Sequence, residues 1–162
     1  MSLALLSLGS NIEPARWLAA AAQVLRDRFP TVRFSPLFRY PAVGFEGPDF
    51  LNAAAALQTD LPPQALSDWL HAVEDAHGRR RDEPRFSSRT LDIDLVFYDA
   101  MIVEDPGNLR LPRPELKHAF VLEPLAMLEP DFIDPRSGQT LAALWRQHRD
   151  YANPAPRLAQ VL

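Results

Sequence analysis

The sequence predicts an α+β fold: a β-α-β-β-α-β run followed by C-terminal helices. Three observations point there. Apolar residues alternate over short runs such as Phe50 to Thr59, the period of a strand. They recur at three- and four-residue spacing from Trp17 to Phe29 and from Leu66 to Val73, the period of a helix. Turn residues punctuate the chain between these segments, so the order of types can be read directly.

Leu3 to Leu8 is an apolar run ending in Gly9-Ser10-Asn11, a strand and then a turn. Pro14 suits the first turn of a helix. Trp17, Leu18, Ala21, Val24, Leu25 and Phe29 form its stripe, and Pro30 closes it. Thr31 to Tyr40 reads as a second strand, and Pro41 to Asp49 as a loop. Phe50 to Thr59 is a third strand, with Leu51, Ala53, Ala55 and Leu57 on one face and Phe50 and Asn52 on the other. Asp60 is placed to cap the next helix, which opens on Pro62 and Pro63. Leu66, Trp69, Leu70 and Val73 are its apolar stripe, and Gly78 ends it. A basic loop, Arg79 to Arg89, leads into a fourth strand ending at Tyr98. Residues 100–116 read as loop, His118 to Leu128 and Gln139 to His148 as helices, and Tyr151 to Leu162 as a packed tail. This order suits a ferredoxin-like sandwich, an antiparallel sheet with both helices on one face, plus C-terminal helices.

At 162 residues one domain is the default, with enough chain for a sizeable core. Hydrophobic residues at 47% and charged residues at 23% are an ordinary globular balance. No run of about 20 apolar residues is present, so no membrane span is expected. The apolar start lacks a basic segment and reads as a strand, not a signal peptide. The absence of cysteine excludes disulfides, thiol catalysis and Cys-ligated zinc, and fits a cytoplasmic location. A net charge of −4 disfavours a nucleic-acid partner, and a monomer is expected.

The stretch RTLDIDLVFYD, Arg89 to Asp99, sets a problem. Asp92 and Asp94 interrupt an otherwise buried strand and share a face, ~6.5–7 Å apart at the backbone. Their repulsion is on the order of 0.5–3 kcal/mol, depending on the dielectric. One reading is a sheet face open to water. The other is a divalent cation, since paired carboxylates suit Mg²⁺ with water and phosphate as its remaining ligands. Arg79, Arg80, Arg81, Arg85 and Arg89 crowd the approach to the strand. They read either as a solvated loop paired with Asp82 and Glu83 or as phosphate ligands. Carboxylates for metal beside arginines for phosphate are the inventory of a phosphoryl-transfer site. There is no GxxxxGK[ST] and no GxGxxG, and the four histidines show no metal-ligand spacing; His71 and His77 are expected on the exposed side of their helix.

Together, LSLGSN at Leu6, PDFLNAA at Pro48, GRRR at Gly78, SRTLDIDLVFYD at Ser88 and AFVLEPLAMLEPD at Ala119 resemble the 6-hydroxymethyl-7,8-dihydropterin pyrophosphokinase family, in the family's order and over about nine tenths of the chain. The resemblance implies transfer of pyrophosphate from ATP to the pterin hydroxymethyl group, with release of AMP, in folate biosynthesis. It implies two Mg²⁺ ions held with ATP by Asp92 and Asp94. Arg79 and Arg81 match catalytic arginines of a mobile loop over ATP, while Glu74 and Arg89 match positions lining the nucleotide pocket. Asn52 matches the residue bonding the pterin's amide-like edge, and Phe50 and Phe120 the aromatics that sandwich the ring. Tyr40, Pro41 and Val43 match the surrounding loop, and Phe86 stands in for a tryptophan of the mobile loop. Gly9 and Asn11 match a turn of mainly structural role.

The sequence departs from the family pattern in the late loop. LPRPELKHAF is one residue short; Arg113 stands where histidine is usual, and His118 where arginine is usual. ATP contacts there are expected from Arg113, Lys117 or His118, with altered ATP affinity. Ser87-Ser88 replaces Gly-Pro. Alternatives from other classes are a diverged enzyme acting on a related pterin alcohol or transferring a single phosphoryl group, and a non-catalytic ferredoxin-like module that binds RNA through RRRDEPRF.

Overall fold

The computed structural model describes residues 1–78, 88–104 and 108–162. The elements run β1 (Ser2–Ser10), α1 (Pro14–Arg28), β2 (Arg33–Phe34), β3 (Pro36–Tyr40), β4 (Phe50–Thr59), α2 (Pro63–Ala76), β5 (Asp92–Tyr98), β6 (Val103–Glu104), β7 (Arg110–Leu111), a 3-10 turn at Pro114–Lys117, α3 (Ala119–Leu128), α4 (Leu141–Gln147) and β8 (Arg157–Val161). Six strands form one antiparallel sheet in the order β5-β1-β4-β3-β8, with β2 also on β4. β6 and β7 make a separate two-stranded pair. Among the described residues, no helix is long and apolar enough to cross a membrane.

Alternation along the central strands creates two cores. Leu6 and Leu8 of β1, Ala53, Ala55 and Leu57 of β4, and Ile93 and Leu95 of β5 pack against Leu18, Ala21 and Leu25 of α1 and Leu66, Leu70 and Val73 of α2. On the opposite face Leu5, Ala54, Ala56, Val96 and Phe97 pack against Val121, Leu122 and Leu125 of α3 and Leu141 of α4. The expected placement of both helices on one face therefore describes α1 and α2, while the C-terminal helices cover the other face. A β-bulge sits between these strands: Leu5 pairs Phe97 but Leu6 pairs Leu95, leaving Val96 as the extra residue. Val96 and Phe97 consequently both enter the second core.

Four sequence expectations are corrected. The single strand Thr31 to Tyr40 is broken at Ser35, because Pro36 has no N–H for a ladder. Ser35 bridges the break: its N–H donates to the Ala54 carbonyl at 2.9 Å, and its hydroxyl accepts from the Ala54 N–H at 2.8 Å. Asp60 does not cap α2; Pro62 occupies that position, without a side-chain cap bond. The expected loop 100–116 contains β6 and β7. The tail contains β8, an edge strand on β3, whose arrival Pro154 and Pro156 hide from a periodicity reading. Gly78 does close α2, at φ 81°, a backbone region that glycine adopts without strain.

Candidate functional site

The sheet face opposite α1 and α2 is not fully covered by α3, and the uncovered end is a cavity of about 410 Å³. That volume lies within the range of small-molecule sites. Strand register fixes its floor. Gly9 pairs with Asp92 on one side and Asn52 on the other, and Asn52 pairs with Phe38. The acidic and amide residues thus lie two strand spacings apart, roughly 10 Å. The cavity has an ionic end over β5 and an aromatic end over β4 and β3.

At the ionic end, Asp92, Asp94, Glu74, Arg89 and Arg113 line the wall. Burial pushes the Asp94 carboxyl up to about 7; Arg113 pulls against this, and the negative charges of Asp92, Glu74 and Glu115 add to it. Arg113 Nη2 lies 3.5 Å from Asp94 Oδ1, and its Nε 3.2 Å from Glu115 Oε2. Glu74 is buried, and its Oε2 accepts from the Ile93 N–H at 3.0 Å, which ties α2 to the start of β5. Arg89 is positioned by Asn11. Its N–H donates to Asn11 Oδ1 at 2.8 Å, and its carbonyl accepts from the Asn11 N–H at 3.1 Å. Asn11 Nδ2 also donates to Pro48 O and Ser88 Oγ, so Asn11 holds three chain segments together.

At the aromatic end stand Phe45, Phe50, Phe120 and Tyr40, with Pro41 and Val43. Phe45 meets Phe50 edge-on at 6.3 Å, and Phe120 meets Tyr40 edge-on at 6.4 Å. The Tyr40 hydroxyl donates to Glu123, a buried acid of α3, and burial reinforced by that carboxylate holds the phenol well above its usual range. Asn52 is 5% exposed, and among the described residues its Oδ1 has no hydrogen-bond partner. Its Nδ2 lies 3.5 Å from the Leu8 carbonyl. A buried acceptor without a donor is costly, and one on a cavity wall is open to an N–H from a bound molecule. Gly9 makes room for it, since a Cβ there would sit 2.7 Å from Asn52 Nδ2.

The N-terminus of α3 forms the rim. His118 stacks on Phe120 at 5.0 Å with ring planes 10° apart. Burial lowers its pKa, with Lys117 and other nearby cations adding to the effect and Glu115 opposing it.

The structure therefore brings together every predicted site residue that it describes. Arg79, Arg81 and Phe86 lie outside the described residues. His71 corrects an expectation: it is half-buried and lines the cavity. Its spacing of three from Glu74 was the available signal, since both then share one helix face. Phe45 and Glu123 were also missed. The first is an aromatic in a Pro/Gly loop, and the second is the lone acid in the apolar helix AFVLEPLAML. A buried acid in such a run implies a specific partner.

Asp92 and Asp94 fit a hard divalent cation: both are oxygen donors on one face, and desolvation together with the neighbouring acids raises Asp94. Among the described residues no cluster of three or more His, Cys, Asp or Glu is arranged for a metal. A cation at the pair would thus keep positions for water and substrate oxygens.

Residues 5–130 match the family described as 7,8-dihydro-6-hydroxymethylpterin-pyrophosphokinase (HPPK). The chain is 38% identical over 148 residues to a 2-amino-4-hydroxy-6-hydroxymethyldihydropteridine pyrophosphokinase of Synechocystis sp., covering 89% of this chain and 75% of that one. It is 32% identical over 156 residues to the protein of the same name from Haemophilus influenzae, covering 93% and 96%. The Plasmodium falciparum HPPK-DHPS structure superposes with a TM-score of 0.69 at 12% identity, over 98% of this chain and 49% of that one. This chain therefore spans about half of that larger protein, and the likeness shows a shared fold. A match across most of the sequence, with relatives above 30% identity covered over 75% and 96% of their lengths, shows that this chain belongs to the 7,8-dihydro-6-hydroxymethylpterin-pyrophosphokinase family.

Proposed function

We propose that the chain transfers pyrophosphate from ATP to the hydroxymethyl oxygen of 6-hydroxymethyl-7,8-dihydropterin and releases AMP, a step of folate biosynthesis. The observation that carries this reading is the two-ended cavity: paired carboxylates and arginines lie roughly 10 Å across the sheet from a buried, unpaired amide oxygen among aromatic side chains. That separation suits a flat heterocycle at one end and a triphosphate at the other, with the hydroxymethyl group between.

In the reaction the hydroxymethyl oxygen bonds to the β-phosphorus, the bond from that phosphorus to the α–β bridging oxygen breaks, AMP leaves, and the hydroxyl proton passes to solvent. Asp92 and Asp94 are the residues that would hold Mg²⁺, two ions with ATP, and the metal would neutralise charge on the triphosphate. Asn52 Oδ1 accepts from an N–H of the ring, and Phe50 and Phe120 bound its faces. Arg89, Arg113 and His118 face the nucleotide, together with Glu74; Arg79 and Arg81 share that task, and Phe86 serves the pterin. No side chain is assigned as general base; the rate comes from positioning and charge complementarity. The strand order supports a ferredoxin-like assignment, and the proposed working form is a single-domain monomer in the cytoplasm that acts without nucleic acid.

Resolution of the nucleotide products tests this reading. With ATP, Mg²⁺ and the pterin alcohol, AMP should form one-for-one with pterin consumed. ADP in place of AMP would mean single phosphoryl transfer, and pterin-independent hydrolysis would refute the substrate assignment.

A further inference from the structure

Asp94 carries an unusual burden in the ligand-free protein. It is half-buried on the cavity floor, and Asp92, Glu74 and Glu115 all press negative charge on it. Among the described residues, Arg113 is the cation at Asp94, with Nη2 3.5 Å from its Oδ1. Its backbone is anchored close by: the Arg113 N–H donates to the Val96 carbonyl at 3.0 Å. Val96 is the bulge residue of β5, and the bulge takes it out of the β1 pairing, which leaves its carbonyl for this contact. The sequence thus pins the Arg113 main chain two residues from Asp94 and leaves a long, partly exposed side chain free to turn about that anchor.

The contact it makes is a loose one. Its Nη2 lies 3.5 Å from Asp94 Oδ1, longer than a charge-assisted hydrogen bond, and its Nε lies 3.2 Å from Glu115 Oε2. A bidentate arginine–carboxylate pair would be shorter and harder to exchange. A divalent ion brings twice the charge to the same oxygen and repels the guanidinium there. The arginine lines the same cavity, so once displaced its fork remains beside the ionic end, suited to phosphate oxygens.

We infer that Arg113 is an exchangeable counter-cation: it occupies Asp94 in the ligand-free protein, yields that carboxylate to a divalent ion, and then turns to the triphosphate. This rests on the reading of Asp92 and Asp94 as metal-holding residues. Arg113 then touches the nucleotide as well as Asp94, with opposite effects on two ligands. It opposes binding of the bare metal and favours binding of the metal–nucleotide complex. A structural role alone would weaken both.

The test is direct binding by the full chain at pH 8.5, without turnover. Mn²⁺ alone is titrated and followed by its electron-spin resonance. Separately, α,β-methylene-ATP with Mg²⁺ is titrated calorimetrically. Arg113→Gln should bind Mn²⁺ about threefold to tenfold tighter than the unsubstituted protein and the nucleotide complex several-fold weaker. Arg113→Lys should fall between on both scales, and it provides the comparison if the glutamine variant folds poorly. Unchanged or weaker Mn²⁺ binding in both variants would overturn the inference. Asp94→Asn separates the two levels. It should weaken Mn²⁺ binding at least tenfold, and Mn²⁺ binding indifferent to it would overturn the metal reading and the inference together.

Discussion

Asn52 is a costly residue to bury, with one amide oxygen unpaired on the cavity floor. Its replacement by leucine should leave the melting temperature unchanged or raised, while pterin affinity falls about 100-fold, measured by fluorescence titration. Gly9→Ala should act on the same contact. The new Cβ lies 2.7 Å from Asn52 Nδ2, so both pterin affinity and stability should drop, the latter by about 1–3 kcal/mol. Asp94 has a distinct signature. Its carboxyl is raised from 3.8 to about 7, so the fold favours the protonated form. That contribution is fully present below about pH 4 and is lost as pH climbs through about 7. The stability of metal-free protein minus that of Asp94→Asn should therefore fall across this window, by on the order of 1–3 kcal/mol, in denaturant titrations at several pH values. A flat difference would mean that Asp94 is not held protonated. At this scale much was legible. DxD in a hydrophobic strand and Phe50/Asn52 on one strand face are period-two facts. The tertiary partners of those residues were not: nothing local says that Glu123 meets Tyr40, 83 residues away.

Elements position these residues through register and caps. β5 carries its acids on the cavity side because Ile93 and Leu95 face α1 and α2, and a one-residue slip would reverse this. β8, like β6 and β7, is an element that sequence reading failed to find, since short strands beside prolines carry little periodicity. It nevertheless reaches the site. The Ala155 N–H donates to Glu123 Oε1 at 3.3 Å, Glu123 holds the Tyr40 hydroxyl, and the Arg39 N–H donates to the Pro156 carbonyl at 3.0 Å. Truncation after Asn153 should therefore lower the melting temperature and weaken pterin binding roughly tenfold, while nucleotide binding at the far end of the cavity changes little. Equal loss of both ligands would show that the tail supports the whole fold and not the Tyr40 wall. The break at Ser35 was also hidden, because a hydroxyl that replaces a ladder carbonyl depends on the partner strand.

At the scale of the molecule, the sheet divides labour between its faces. One face is closed by α1 and α2 over an apolar core; the other is half closed by α3 and α4, and the uncovered half is the cavity. The α+β class and the element order could be read from local periodicity, whereas coverage of both faces depends on where the C-terminal helices dock, which no local pattern encodes. The central claim is that Asp92 and Asp94 belong to the chemistry and not to the architecture. The most direct measurement is the rate of pterin-dependent AMP formation by Asp94→Asn beside the unsubstituted protein, with a thermal melt of each at pH 8. The account predicts a rate lower by about 10³-fold or more with a melting temperature equal or higher. A variant that melts normally and keeps its rate within tenfold would contradict it.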